Sequence, residues 1–219
     1  MRGPLIGFVA GAVAVVLGGG GYLVAHNLSA NRNNTPVATS SQARSGGITV
    51  RGHGIKMTFP AGWVNVPTSP NQFRQFIKDF EDNHGHIPAA LRSEIDNPQL
   101  LSSLAMLVVR PDGQGNVSEN LDALVAPFDP TPSQILAQLK SGQGLAQFGA
   151  TDVHESVTNF GKYPGVLVTF TVRVKGRTTY GAQSYLEGPV HGVVTSVTSQ
   201  DAATGEADLK QIVDTISFT

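Results

Sequence analysis

VLVTFTVRV, Val166 to Val174, alternates Val166, Val168, Phe170, Val172 and Val174 with Leu167, Thr169, Thr171 and Arg173. An apolar set on every second residue over nine positions is the signature of a half-buried β-strand, because successive side chains leave opposite faces of a sheet. A turn at Lys175-Gly176-Arg177 leads into a second strand, Thr179 to Leu186. Gly188-Pro189 then leads to a third, Gly192 to Thr198, so the chain folds back twice and makes a three-strand antiparallel meander. Leu104 to Val109, Leu121 to Ala126 and Val153 to Val157 supply shorter strand candidates.

Upstream, ITVRGHGIKMTF (48–59) offers two alternating runs around Gly52-His53-Gly54, a hairpin signal, and closes in the tight turn Phe59-Pro60-Ala61-Gly62-Trp63. Ser69-Pro70-Asn71-Gln72 spells a helix start with proline in the first turn, and Phe73, Phe76, Ile77 and Phe80 follow at helical spacing. Thr131-Pro132-Ser133-Gln134 repeats the device before Ile135, Leu136 and Leu139. Leu209, Ile212, Val213 and Ile216 spell a third helix, Ile87 to Ile95 reads as helical, and Asn97-Pro98 as another helix start. Strands joined by hairpins and interspersed with helices predict an α+β domain, an antiparallel sheet with a C-terminal meander covered by helices.

The front of the chain has a different character. Residues 1–47 hold Arg2, Arg32 and Arg44 and no acid, whereas the remaining 12 basic residues and all 16 acids lie beyond. From Pro4 to Ala25 no side chain is charged. Twenty-two residues span roughly 33 Å as a helix, against a hydrocarbon core of about 30 Å, so residues 1–25 read as one N-terminal transmembrane helix. A cleaved secretory signal is the alternative: Leu5 to Leu17 has the length, but Leu23 and Leu28 stand two residues before Ala25 and Ala30, where a small residue is wanted. Arg2 and the amino terminus adjoin the apolar run, which favours an exported body. Gly7 and Gly11 form a G-x-x-x-G of the kind that lets two membrane helices pack closely. Residues 26–47 are rich in Asn, Ser, Thr and Gly and read as a flexible linker with a reach of about 25 Å. Residues 48–219 are left as one extracytoplasmic α+β domain, long enough to bury about 70% of its unfolded surface.

A hairpin closing in Phe59-Pro60-Ala61-Gly62-Trp63, a helix, a sheet with a long meander, and a last helix followed by Ile216-Ser217-Phe218 resemble the Mog1/PsbP-like fold, in particular the exported LpqN/LpqT-type cell-envelope proteins. The resemblance covers about Ile48 to Thr219. Those proteins are tethered through a lipidated cysteine, which this chain lacks, and a peptide anchor would serve instead. The resemblance implies a binding or assembly role and brings no catalytic residues with it.

The chemistry that composition excludes is wide. Without cysteine there is no disulfide scaffold, thiolate zinc site or cysteine nucleophile, and a net charge of -1 gives no general attraction to nucleic acid. His84 and His86 with Glu81 and Asp82 are the best metal candidates, but a histidine at a helix end is more simply explained by the helix dipole and exposure. No G-x-S-x-G occurs; Gly181-Ala182-Gln183-Ser184 has the wrong spacing. Gly142-Gln143-Gly144 reads as a helix end, and Asp112-Gly113-Gln114-Gly115-Asn116 as a surface turn, since Val117 stands where a calcium loop needs glycine. Arg173, Lys175 and Arg177 make a basic knot near Tyr180, a solvated turn or an anion contact. Trp63, Phe73, Phe76, Phe80 and Phe170 fall on core positions. The expectation is therefore a membrane-tethered binding or assembly module with no catalytic, cofactor or metal residues, acting on an envelope protein or on a lipid-like or glycan ligand. An envelope enzyme whose site is assembled from sequence-distant residues is the alternative, and a cytosol-facing anchor protein is a third.

Overall fold

The computed structural model describes residues 39–42, 47–84, 104–111, 117–126, 131–140, 145, 149–174 and 177–219. Its centre is a seven-stranded antiparallel sheet in the order β4-β5-β6-β10-β9-β8-β7. These strands are β4 (Val64–Val66), β5 (Leu104–Pro111), β6 (Val117–Val125), β7 (Ala150–Phe160), β8 (Tyr163–Val174), β9 (Arg177–Leu186) and β10 (Val193–Ser199). The meander β8-β9-β10 lies side by side as the alternation requires, with Val168 opposite Gln183 and Gln183 opposite Ser196. A second sheet, β1-β2-β3-β11, is built from β1 (Thr39–Gln42), β2 (Ile48–Gly52), β3 (Ile55–Phe59) and β11 (Ser217–Phe218).

Among the described residues three helices flank the large sheet: α1 (Pro70–His84), α2 (Pro132–Lys140) and α3 (Ala202–Val213). Strand alternation sorts the core into two slabs. Val166, Val168, Phe170 and Val172 of β8 pack in one cluster with Phe73, Ile77 and Phe80 of α1 and Ile135 of α2. Leu167 packs in the other, with Val50, Met57 and Phe59 of the small sheet and Leu209, Ile212 and Val213 of α3. The layers are thus α1 and α2, the large sheet, then the small sheet with α3. Each fully buried aromatic or aliphatic side chain contributes about 1.5–3 kcal/mol, so the slabs outweigh any polar contact in the molecule.

Local signals explain most element ends. His53 and Gly54 have φ of 48° and 78°, as a two-residue hairpin turn whose twist matches its strands demands. At α2 the expected capping box forms: Gln134 Oε1 accepts the Thr131 N–H at 2.9 Å, and the Gln134 N–H reaches Thr131 Oγ1 at 3.4 Å. At α1 the Ser69 hydroxyl instead donates to Gln72 Oε1 at 2.8 Å. Gly52 is required by a close crossing, since a Cβ there would lie 1.7 Å from the Ala105 carbonyl oxygen of β5.

Several expectations are corrected. The third helix begins after Asp201, whose carboxylate accepts the Thr204 N–H at 2.8 Å, and it stops at Val213; Ile216 is buried beyond it rather than on it. β7 runs over eleven residues, not five, because an edge strand exposed on both faces shows no alternation. β6 begins at Val117, four residues earlier than read, through buried Glu119 and Asn120. Thr39–Gln42, inside the segment read as linker, pairs with β2; the pairing uses backbone groups, so its lack of apolar side chains was no obstacle. The expected transmembrane helix (1–25), the helix at 87–95 and the start at Asn97-Pro98 lie outside the described residues. Among the described residues no helix is long and apolar enough to cross a membrane.

Candidate functional site

Between α3 and the outer part of the large sheet lies a cleft of about 160 Å³, lined by β7, β8, β9 and the first turns of α3. Asp152 and His154 come from β7, Thr169, Phe170 and Thr171 from β8, Tyr180, Gly181 and Ala182 from β9, and Ala202, Gly205 and Glu206 from α3. What places Asp152 there is a bulge. The β7–β8 register runs from Thr151 opposite Thr171 directly to His154 opposite Thr169, leaving Asp152 and Val153 unmatched. Asp152 takes a left-handed φ of 51°, a conformation that aspartate tolerates better than most residues. Its Oδ2 accepts hydroxyls from Thr171 at 2.9 Å and Thr151 at 3.2 Å, and the two threonine oxygens are 2.6 Å apart.

On the opposite wall Gly205 lets α3 lie close against β10, since a Cβ there would sit 2.9 Å from Ser199 Cβ. Gly181 and the small Ala182 and Ala202 keep the floor shallow. The cleft is therefore a polar rim of carboxylate, imidazole and hydroxyls around a small-residue base. At about half the lower size of drug-sized pockets, roughly 300 Å³, it suits one ring or one headgroup rather than an extended molecule.

Two other polar groupings sit deeper. Arg110 Nη1 lies 2.6 Å from Glu119 Oε2 and 2.7 Å from Asp208 Oδ2, joining β5, β6 and α3, and its guanidinium carbon stands 4.6 Å above the Trp63 ring. One cation between two carboxylates leaves an excess negative charge in a buried place. Burial, reinforced by Asp208, pushes the Glu119 carboxyl up to about 7, with Ser199 and Arg110 pulling it down. On the opposite face, Tyr185 donates to Gln183 Oε1 at 2.7 Å and Gln183 donates to Ser196 Oγ at 3.2 Å. Complete burial, with Glu155 adding to it, holds the Tyr185 phenol far above its usual value, so it stays a donor. Asn120, fully buried beside this row, has no hydrogen-bond partner for its amide among the described residues.

The residues singled out from sequence fare unevenly. Glu81, Asp82 and His84 fall on the last turn of α1, while His86 lies outside the described residues. Among the described residues no three His, Asp or Glu side chains are grouped to hold a metal. Residues 112–116, 142–144 and Lys175 also lie outside. Arg173 is exposed near the end of β8, and Tyr180, three residues beyond Arg177, lines the cleft. Ser184 is fully buried. Trp63, Phe73, Phe80 and Phe170 are core as expected, with Phe76 partly buried against them. Asp152, His154 and Glu206 went unnoticed in the sequence, because only pairing across β7, β8, β9 and α3 brings them together.

Comparison with known proteins gives structural likeness only. No protein-family profile matches the sequence, and no curated protein does. Among solved structures, LpqN, described as involved in cell envelope biogenesis of Mycobacterium tuberculosis, is 12% identical at a TM-score of 0.43, over 85% of this chain and 92% of its own. A Bacteroides thetaiotaomicron protein is 13% identical at a TM-score of 0.42, over 76% of this chain; the match spans 45% of that protein's length. The resemblance read from the sequence thus recurs among solved structures, at identities and scores that transfer no activity.

Proposed function

We propose that the chain is a membrane-tethered extracytoplasmic binding module of the cell envelope, held by residues 4–25, whose cleft takes one hydroxyl-rich ring of a glycan. The carrying observation is the cleft's lining. Asp152 is fixed by two threonine hydroxyls, and His154, Tyr180 and Glu206 stand around a base of glycine and alanine. A sugar ring offers both what such a rim reads, several hydroxyls as donors and acceptors, and flat C–H surface for the small-residue base. The uncharged run 4–25 and the polar linker after it support the location, and the small cleft favours a recognised group over a large substrate.

Backbone NMR of the full chain in detergent micelles, titrated with mono- and disaccharides at millimolar concentration, tests the reading. Thr171, Tyr180, Gly181 and Gly205 resonances shift in the wild type, and the shifts vanish in Asp152→Ala. No shift with any sugar overturns the ligand class. Topology is tested separately: a periplasm-active or exterior-active reporter fused after Thr219 is active in intact cells, and activity of a cytosol-only reporter overturns the orientation.

One observation favours the enzymatic alternative, namely that Asp152 and His154 of β7 and Glu206 of α3 line the same cleft from two places distant in sequence. If a bound glycan is cleaved, and His154→Ala keeps binding but stops cleavage, the module is an enzyme.

A further inference from the structure

The outermost strand of the large sheet, β7, has a free edge. Among the described residues no strand pairs with its outer side. Such edges are usually blunted by lysine, proline, shortness or a bulge. β7 reads ATDVHESVTNF, eleven residues with neither lysine nor proline, and its one bulge lies at Asp152–Val153, leaving residues 154–160 regular. Val157 stands 62% exposed in the middle of that stretch.

Which backbone groups face outward follows from Pro164. Asn159 pairs with Pro164, and proline has no N–H to donate, so this is a non-hydrogen-bonded pair and the Asn159 amide and carbonyl point away from β8. The Pro164 carbonyl accordingly accepts from the Glu187 N–H at 3.0 Å, on the β9 side. Alternation gives Val157 and Glu155 the same outward direction. Three donors and three acceptors are therefore presented over five residues.

Only a few antiparallel registers match this edge to itself. Centring the two-fold axis on Glu155 sets two carboxylates opposite each other, and centring it on Ser156 sets each Val157 against a carboxylate. Centring it on Val157 puts valine against valine and each Glu155 against an Asn159 amide, an acceptor meeting a donor.

We infer that β7 is the site of two-fold self-association, in which two copies join antiparallel through residues 155–159 about Val157 and their sheets become continuous. The edge, the outward groups, the exposed valine and the Glu155–Asn159 pairing all meet in that one arrangement. The contact is short of the roughly 1,200–2,000 Å² of a stable standard interface, so the dimer is weak in dilute solution and populated where copies are concentrated.

The absence of cysteine makes the test clean. In the full chain, Val157→Cys introduces the sole thiol. Directly opposed residues in this register are about 5.5 Å apart at Cα, inside the range of about 4.4–6.8 Å that a disulfide spans. Mild oxidation gives at least about tenfold more disulfide dimer than Val190→Cys, an exposed control at 69% outside any strand. Glu155→Cys and Asn159→Cys cross-link little alone and strongly when mixed, which fixes the register. Equal dimer from Val157→Cys and Val190→Cys overturns the inference, as does cross-linking of Val157→Cys to another protein instead of itself. The readout is independent of the leader: dimer that is no stronger in membranes than in detergent counts against the anchor and leaves β7 pairing standing.

Discussion

Asp214 Oδ1 accepts the backbone N–H of Gly161 at 2.8 Å, fastening the β7–β8 turn to the C-terminal end of α3. Gly161 has φ of 58°, and a Cβ on it would lie 2.9 Å from the Asp214 carbonyl oxygen. The aspartate therefore both grips the turn and fills the space that any larger residue would need.

Gly161→Ala combines left-handed strain with that collision and lowers stability by about 2 kcal/mol. Asp214→Ala removes the acceptor and costs about 1 kcal/mol. The double variant loses less than the sum of the two, because each removes the same contact. Urea unfolding of the three variants reads all three numbers.

Glu119 sets a pH dependence. Its carboxyl titrates at about 7 in the folded chain, against 4.5 for the ordinary group, so between those values the folded state holds the extra proton. The stability this provides is complete below about 4.5 and is lost as pH rises through 7. Wild type loses on the order of 2 kcal/mol between pH 5 and 8, and Glu119→Gln is nearly flat over that range. Trp63, the single tryptophan, sits under Arg110 and reports the same titration in its emission.

Gly181 lies beneath the Phe170 ring, where a Cβ would come within 2.3 Å of Cζ. Gly181→Ala forces a buried ring to move and costs about 1–3 kcal/mol. The same substitution is milder in a Phe170→Leu background, where thermal unfolding shows a smaller additional drop.

His53 occupies the first left-handed place in the β2–β3 turn, and its buried Nε2 finds no hydrogen-bond partner among the described residues. Burial holds its imidazole below the usual value, hence neutral. His53→Asn supplies the residue such turns prefer and removes the stranded nitrogen, raising stability by about 0.5–1 kcal/mol in the same unfolding assay.

What the sequence could disclose was what water and apolar surface dictate. Val166, Val168, Phe170 and Val172 had to share a face, and Phe73, Ile77 and Phe80 had to meet it, so the meander and α1 were legible. β6 was only half legible, because Glu119, Asn120 and Asp122 are buried and polar, contrary to the usual sense of the pattern. β7 was obscured by exposure on both faces, and β11 is too short to show a period. The cleft was hidden for another reason. Asp152 becomes distinctive only through a one-residue slip in strand pairing, and the slip is a property of β7 and β8 together.

The small sheet closes from both directions in sequence. Ser217 and Phe218 lie along Lys56 and Ile55, Thr219 donates to the Gly54 carbonyl, and the Thr58 N–H bonds to Thr215 Oγ1, 157 positions away. A ribosome, which delivers the chain amino end first, releases β2 and β3 long before their last neighbour exists. The hairpin must wait with one border bare, and the loop closure that ends the wait spans nearly the entire domain. Acquisition of the finished shape is thus a late, single event, set by the emergence of the last few residues.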